Sequence, residues 1–181
     1  MVSNIGVCSA QDFFTSGENS WRPNGLFCFR SGKNTNTQIH LIRYKDGKLE
    51  TVFTTNTFEG IQSPICLAEN VIAVSVDGVI HKLDLNGKFI FRAKPVAFTG
   101  ASGHSGRIND NHIFMTETSW NEQGKNWKYY LYIVDVSGEG PVISSKFEII
   151  QPFKITRTID EVVIVGVNDV QRLKLPNGLN E

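Results

Sequence analysis

Apolar residues in this chain fall in short runs, and polar or glycine turns cut the runs at regular intervals. Four times an apolar–x–apolar strand end closes on a glycine: Ile42-Arg43-Tyr44-Lys45-Asp46-Gly47, Leu83-Asp84-Leu85-Asn86-Gly87, Val134-Asp135-Val136-Ser137-Gly138 and Leu173-Lys174-Leu175-Pro176-Asn177-Gly178. The glycines at 47, 87, 138 and 178 stand 40, 51 and 40 residues apart. A strand-rich period of roughly 40–50 residues is the signature of propeller blades.

The second unit is the clearest. Asn70 to Val76 is β-branched and free of turn residues, so it reads as a buried strand. Asp77-Gly78 is a favoured hairpin turn, Val79 to Leu85 runs back, and Asn86-Gly87 turns into Lys88 to Ala93. Ser63 to Ala68 supplies a strand upstream, which completes a four-stranded meander. The other units align on it. Their second strands are Leu26 to Arg30, His112 to Thr116 and Val162 to Val165. Their third strands are Gln38 to Tyr44, Lys128 to Val136 and Val170 to Leu175. Fourth strands follow at Leu49 to Phe53 and Val142 to Phe147. The last unit lacks a fourth strand, and Val2 to Cys8 is expected to supply it and close the ring. The fold class is therefore all-β, a four-bladed β-propeller in a single domain over 1–181. A β-sandwich or twisted barrel is the alternative.

The segment Asp77-Gly78-Val79-Ile80-His81-Lys82-Leu83-Asp84-Leu85-Asn86-Gly87 resembles the blade repeat of quinoprotein-type and related propellers. Val134-Asp135-Val136-Ser137-Gly138 matches it in part. The tryptophan docking motif of the quinoprotein enzymes is missing, so no quinone follows, and no cofactor or metal is expected. Propellers host many functions, so the fold names none.

Composition narrows the classes. With 40% hydrophobic and 20% charged residues in 181, the chain is globular rather than disordered. Eighteen basic residues balance eighteen acidic ones, which argues against nucleic acid as a partner. No run reaches the ~20 apolar residues of a membrane helix. The first ten residues have no basic or apolar signal region, so a cytoplasmic location is expected. Cys8, Cys28 and Cys66 each have apolar neighbours and read as buried free thiols.

The glycine turns lie on one end of the blades, and the irregular segments lie on the other. These are Ser31 to Thr37, Thr54 to Gly60, Lys94 to Ser105 and a long excursion from Glu117 to Trp127. Long loops on a rigid scaffold carry recognition. Phe58, Phe98, Trp120 and Trp127 are candidate contact anchors there, although Trp127 also suits packing beside Tyr129 and Tyr130. Glu59, Glu117 and Glu122 are candidate acidic contacts.

Catalytic chemistry has thin support. His104 and Arg107 sit in Ala101-Ser102-Gly103-His104-Ser105-Gly106-Arg107 and together suit a phosphate or carboxylate. The plainer reading makes His104 a polar loop group, His81 a blade-surface residue and His112 a strand start. Asp77, Asp84 and Asp135 read as turn residues. No metal spacing, phosphate loop or nucleophile elbow is present.

In size and plain composition the chain resembles the stand-alone immunity proteins of contact-dependent bacterial toxins, including EndoU-type nucleases. That resemblance implies a non-catalytic protein that occludes a basic nuclease toxin with its long-loop face. The rivals are a small-ligand or carbohydrate binder using Trp120 and Phe98, and a hydrolase or lyase using His104 and Arg107.

Overall fold

The computed structural model describes residues 25–32, 36–56, 58–62 and 64–179. Every regular element in them is a strand, and the strands form four separate antiparallel sheets in chain order. The first sheet holds β1 (Leu26–Ser31), β2 (Gln38–Lys45) and β3 (Lys48–Thr54). The second holds β4 (Ile65–Cys66), β5 (Asn70–Val74), β6 (Ile80–Asp84) and β7 (Phe89–Ala93). The third holds β8 (Ala101–Arg107), β9 (His112–Asn121), β10 (Asn126–Asp135) and β11 (Val142–Ile149). The fourth holds β12 (Lys154–Arg157), β13 (Glu161–Val165) and β14 (Val170–Lys174). Each is an up-and-down meander whose neighbours in space are neighbours in sequence.

The sheets pack face to face in the same order, with an apolar layer in each gap. Leu26, Cys28, Ile39, Leu41 and Phe53 of the first sheet meet Cys66, Val71, Ala73 and Leu83 of the second. Ile65, Ile72, Val74 and Ile80 on the other face of the second sheet meet Ile113, Met115, Tyr132 and Val134 of the third. Phe114, Leu131, Ile133 and Ile149 then meet Val162 and Ile164 of the fourth. Because the two middle sheets are covered on both faces, Val71 to Val74 and Leu131 to Val134 are buried without a break. Unbroken apolar runs are what two covered faces require, since successive side chains point to opposite sides.

Polar groups tie the layers together. Buried Lys82 on β6 sends Nζ across to the Val136 carbonyl at 2.6 Å, beyond the end of β10. The turn aspartates act as expected: Asp84 Oδ1 accepts from the backbone N–H of Asn86 and Lys88, and Asp135 Oδ1 from that of Ser137. Cys28 and Cys66 are buried free thiols. No helix among the described residues is long and apolar enough to cross a membrane.

Three readings of the chain need correction. Ala101 to Arg107 is a strand, not part of a link. Its small residues have low strand propensity, but pairing with β9 holds them, and a register shift between Ser102 and Ser105 absorbs the irregularity. The link before it is correspondingly shorter than Lys94 to Ser105. Glu117 to Trp127 is a strand hairpin turning only at Glu122 to Lys125, not a loop excursion. His81 is 3% exposed and so is no surface residue. Val2 to Cys8, the expected closing strand, lies outside the described residues, as do Cys8 and Trp21.

Candidate functional site

Two features stand at the end of the sheets that carries the irregular segments. The first is the end of the β9–β10 hairpin. β8 accompanies β9 only as far as Thr118, and β11 accompanies β10 only from Tyr129. The pairs Ser119–Lys128, Trp120–Trp127 and Asn121–Asn126 therefore extend past both neighbours as a two-stranded ribbon. Trp120 and Trp127 face each other across it, their rings edge to face with centroids 5.2 Å apart. They remain 45% and 56% exposed. Glu122 lies exposed in the turn beyond them. Lys128, at the base of the ribbon, pairs with Glu148 of β11 at 2.5 Å, and that contact raises its ammonium above the usual lysine value.

The second feature is a cleft of about 840 Å³ at one end of the second sheet, between the link that joins it to the first sheet and the start of β8, where Gly100 and Ala101 line it. The link after β3 forms its wall by bridging both sheets. Phe58 exchanges backbone hydrogen bonds with Thr37, while Val76 N–H reaches the Gly60 carbonyl at 2.9 Å. Phe58 and Glu59 line the cleft together with Asp77, His81 and Arg92. His81 and Arg92 are cross-strand partners on β6 and β7. The His81 ring is edge-on to Phe58 at 5.2 Å, and its Nδ1 is buried without a hydrogen-bond partner. Burial pushes the imidazole down to about 4, with the Arg92 charge adding to the effect and Asp77 opposing it. His81 is therefore neutral at physiological pH. One oxygen of Asp77 is engaged in its own turn by Ser75 and by Val79 N–H.

The other residues singled out from the sequence divide between these features and the scaffold. Phe98 is buried in the layer between the second and third sheets, with its ring against Gly78. As a candidate contact anchor in the link it is therefore not available: the turn at Pro95 to Phe98 folds it inward over the core. Glu117, a candidate acidic contact by sequence, is buried instead, at 2% exposure. Its carboxylate accepts from Thr99 N–H at 2.7 Å, Gly100 N–H at 2.5 Å and the Tyr132 hydroxyl. Burial pushes that carboxyl up, but the hydrogen bonds from Tyr132, Gly100 and Thr99 outweigh it and hold the group below the usual glutamate value. Glu117 is a latch that fixes the link onto β9.

His104 and Arg107 have separate partners. The His104 backbone donates to Thr116 Oγ1 at 2.8 Å, and its ring bonds the Pro152 carbonyl. Burial lowers its imidazole, with that carbonyl working the other way. Arg107 stands at the far end of β8 and pairs with Asp110 at 3.4 Å. No group of three His, Cys, Asp or Glu among the described residues is placed to hold a metal ion.

Sequence reasoning passed over His81, Arg92 and Asp77 as site residues. The one available signal was a histidine inside a run of buried strand positions, where an unpartnered imidazole is costly.

No protein-family model matches the chain, and no curated protein does. Among solved structures it is similar to the acylaminoacyl peptidase of Pyrococcus horikoshii, at 12% identity and a TM-score of 0.45. The match covers 82% of this chain and 30% of the peptidase chain, so this chain spans well under half of that neighbour. So distant a likeness carries neither fold nor reaction across.

Proposed function

We propose that this protein is a non-catalytic protein-binding module, built as a four-bladed propeller, whose contact surface is the Trp120–Trp127 hairpin end. The exposed indole pair, on a ribbon flanked by no strand among the described residues, is the observation that carries this reading. Tryptophan dominates binding hot spots because it buries a large rigid area on contact. Among the described residues, no strand pairs with the outer edges of Ser119–Asn121 and Asn126–Lys128, which suits them to strand addition.

The propeller is supported by the order of the layers: four meanders stacked in chain order with three apolar gaps between them. A closed ring needs a fourth gap between the outer faces of the first and fourth sheets. Apolar side chains suited to it are present: Phe27, Ile42, Tyr44 and Leu49 border a hollow on the first sheet. Val163 and Val165 alternate with the packed Val162 and Ile164 on the fourth.

The more specific reading is an immunity protein that occludes a basic nuclease toxin. It retains Glu59 and Glu122 as exposed acidic groups and loses Glu117 to the interior. Its charge complementarity is correspondingly smaller, and the indole pair carries the greater share of the reading.

Affinity capture followed by reconstitution with the purified partner tests the proposal. A stoichiometric complex is expected, weakened about thirtyfold or more by Trp120→Ala with Trp127→Ala, the loss typical of a hot-spot tryptophan. Equal affinity in the double variant would place the contact elsewhere.

A further inference from the structure

We propose that the cleft at the end of the second sheet, between the link after β3 and the start of β8, binds a neutral polyhydroxylated ligand of the sugar class. Arg92, Asp77 and Glu59 would take its hydroxyls, with Phe58 and the edge of the His81 ring beside it. This site is separate from the tryptophan ribbon and does not depend on the protein-binding reading.

Two independent observations meet here. The cleft, at about 840 Å³, lies within the range of small-molecule sites. Its wall holds a histidine that is 3% exposed and leaves Nδ1 unpaired. A buried polar atom without a partner costs stability, and most such atoms in native proteins are satisfied. Packing does not explain its presence, because a phenylalanine would fill a site between Phe58 and Phe89 without the polar cost.

The charges select the ligand class. Arg92 makes no ion pair among the described residues and faces the cleft with two carboxylates, Asp77 and Glu59. A simple anion would gain one guanidinium and meet two like charges. A metal ion would need converging ligands, and none are so placed among the described residues. A hydroxyl both donates and accepts, so a polyol satisfies carboxylates and guanidinium together without bringing a charge of its own. Phe58 supplies an apolar surface for the ligand's C–H groups, as mixed polar and aromatic lining requires.

Saturation-transfer NMR and calorimetry with D-glucose, D-galactose and N-acetylglucosamine test the proposal, with inorganic phosphate and glycine as ionic controls. At least one sugar should bind at millimolar concentration and shift the His81 imidazole nitrogen resonance at saturation. Arg92→Gln and Glu59→Gln, both at exposed positions, should each weaken it about tenfold, as loss of a charged hydrogen-bonding group does. Trp120→Ala should leave it unchanged. The proposal is overturned if none of the sugars binds, if phosphate or glycine binds in their place, or if sugar binding survives both cleft variants. Loss with Trp120→Ala alone would overturn it too, by moving the site to the ribbon.

Discussion

Phe58 and His81 meet edge to face, ring centroids 5.2 Å apart at 69°, across the seam between the first two sheets. Phe58 comes from the link after β3 and His81 from the start of β6, so neither side chain is placed by its local structure alone. The pair shows how a link residue and a strand residue become one wall of a cleft.

His81 makes stability depend on pH. Its imidazole titrates at about 4 in the folded protein against 6.5 when unfolded. Between those values the unfolded chain holds a proton that the folded one does not. The stabilisation from the neutral ring is thus fully present above 6.5 and is lost as pH falls towards 4. Arg92 and Asp77 are the charges facing it. Urea titrations across that window should give a steeper acid loss for the native protein than for His81→Phe. Identical slopes would show that His81 is accessible to protons when folded.

The Glu117 latch should be costly to remove. Glu117→Ala strands the Tyr132 hydroxyl and the N–H groups of Thr99 and Gly100, for about 2–4 kcal/mol by chemical denaturation. Tyr132→Phe should cost about 1–2 kcal/mol. The two losses should be less than additive, because they share one hydrogen bond. Since the Glu117 carboxyl lies below 4.5 when folded, its share of stability persists above 4.5 and fades as pH drops below. That window lies below the one set by His81, so the two contributions separate in an acid titration.

The ribbon tryptophans should matter little to folding. Trp120→Ala and Trp127→Ala each remove one cross-strand contact of an exposed pair, worth roughly 0.5–1.5 kcal/mol. A loss of partner affinity well beyond that, with thermal stability nearly intact, separates a binding role from a packing role.

Glycine substitutions should distinguish turns that look alike in sequence. Gly78 has φ +83°, and an added Cβ would stand 2.3 Å from the Phe98 ring. Gly78→Ala combines backbone strain with a clash and should cost about 2 kcal/mol or more. At Gly138 an added Cβ meets nothing within 4 Å, and its φ is not positive. Gly138→Ala should be neutral within about 0.5 kcal/mol. Thermal denaturation of both variants checks the contrast.

Much of the fold was legible because its signals are local. The β-branched run at Asn70 to Val74, the Asp77-Gly78 turn and the glycine repeats specify strands and their ends without reference to the rest of the chain. Ala101 to Arg107 was not legible, because its strand state comes from pairing with β9 rather than from its own residues. The hairpin beyond Thr116 was missed for a similar reason. Its polar and aromatic residues read as a loop until two strands pair across them.

What the amino-acid sequence determined on its own was the all-β class, the strand order and the period of the turns, since alternation and turn chemistry act within a few residues. The tertiary structure alone decided which side chains lie beneath a neighbouring sheet. It buried Phe98, Glu117 and His81, left the Trp120–Trp127 pair in solvent, and gave His104 and Arg107 separate partners. Burial is a property of what packs across a face, and residues far apart in the chain supply that covering surface.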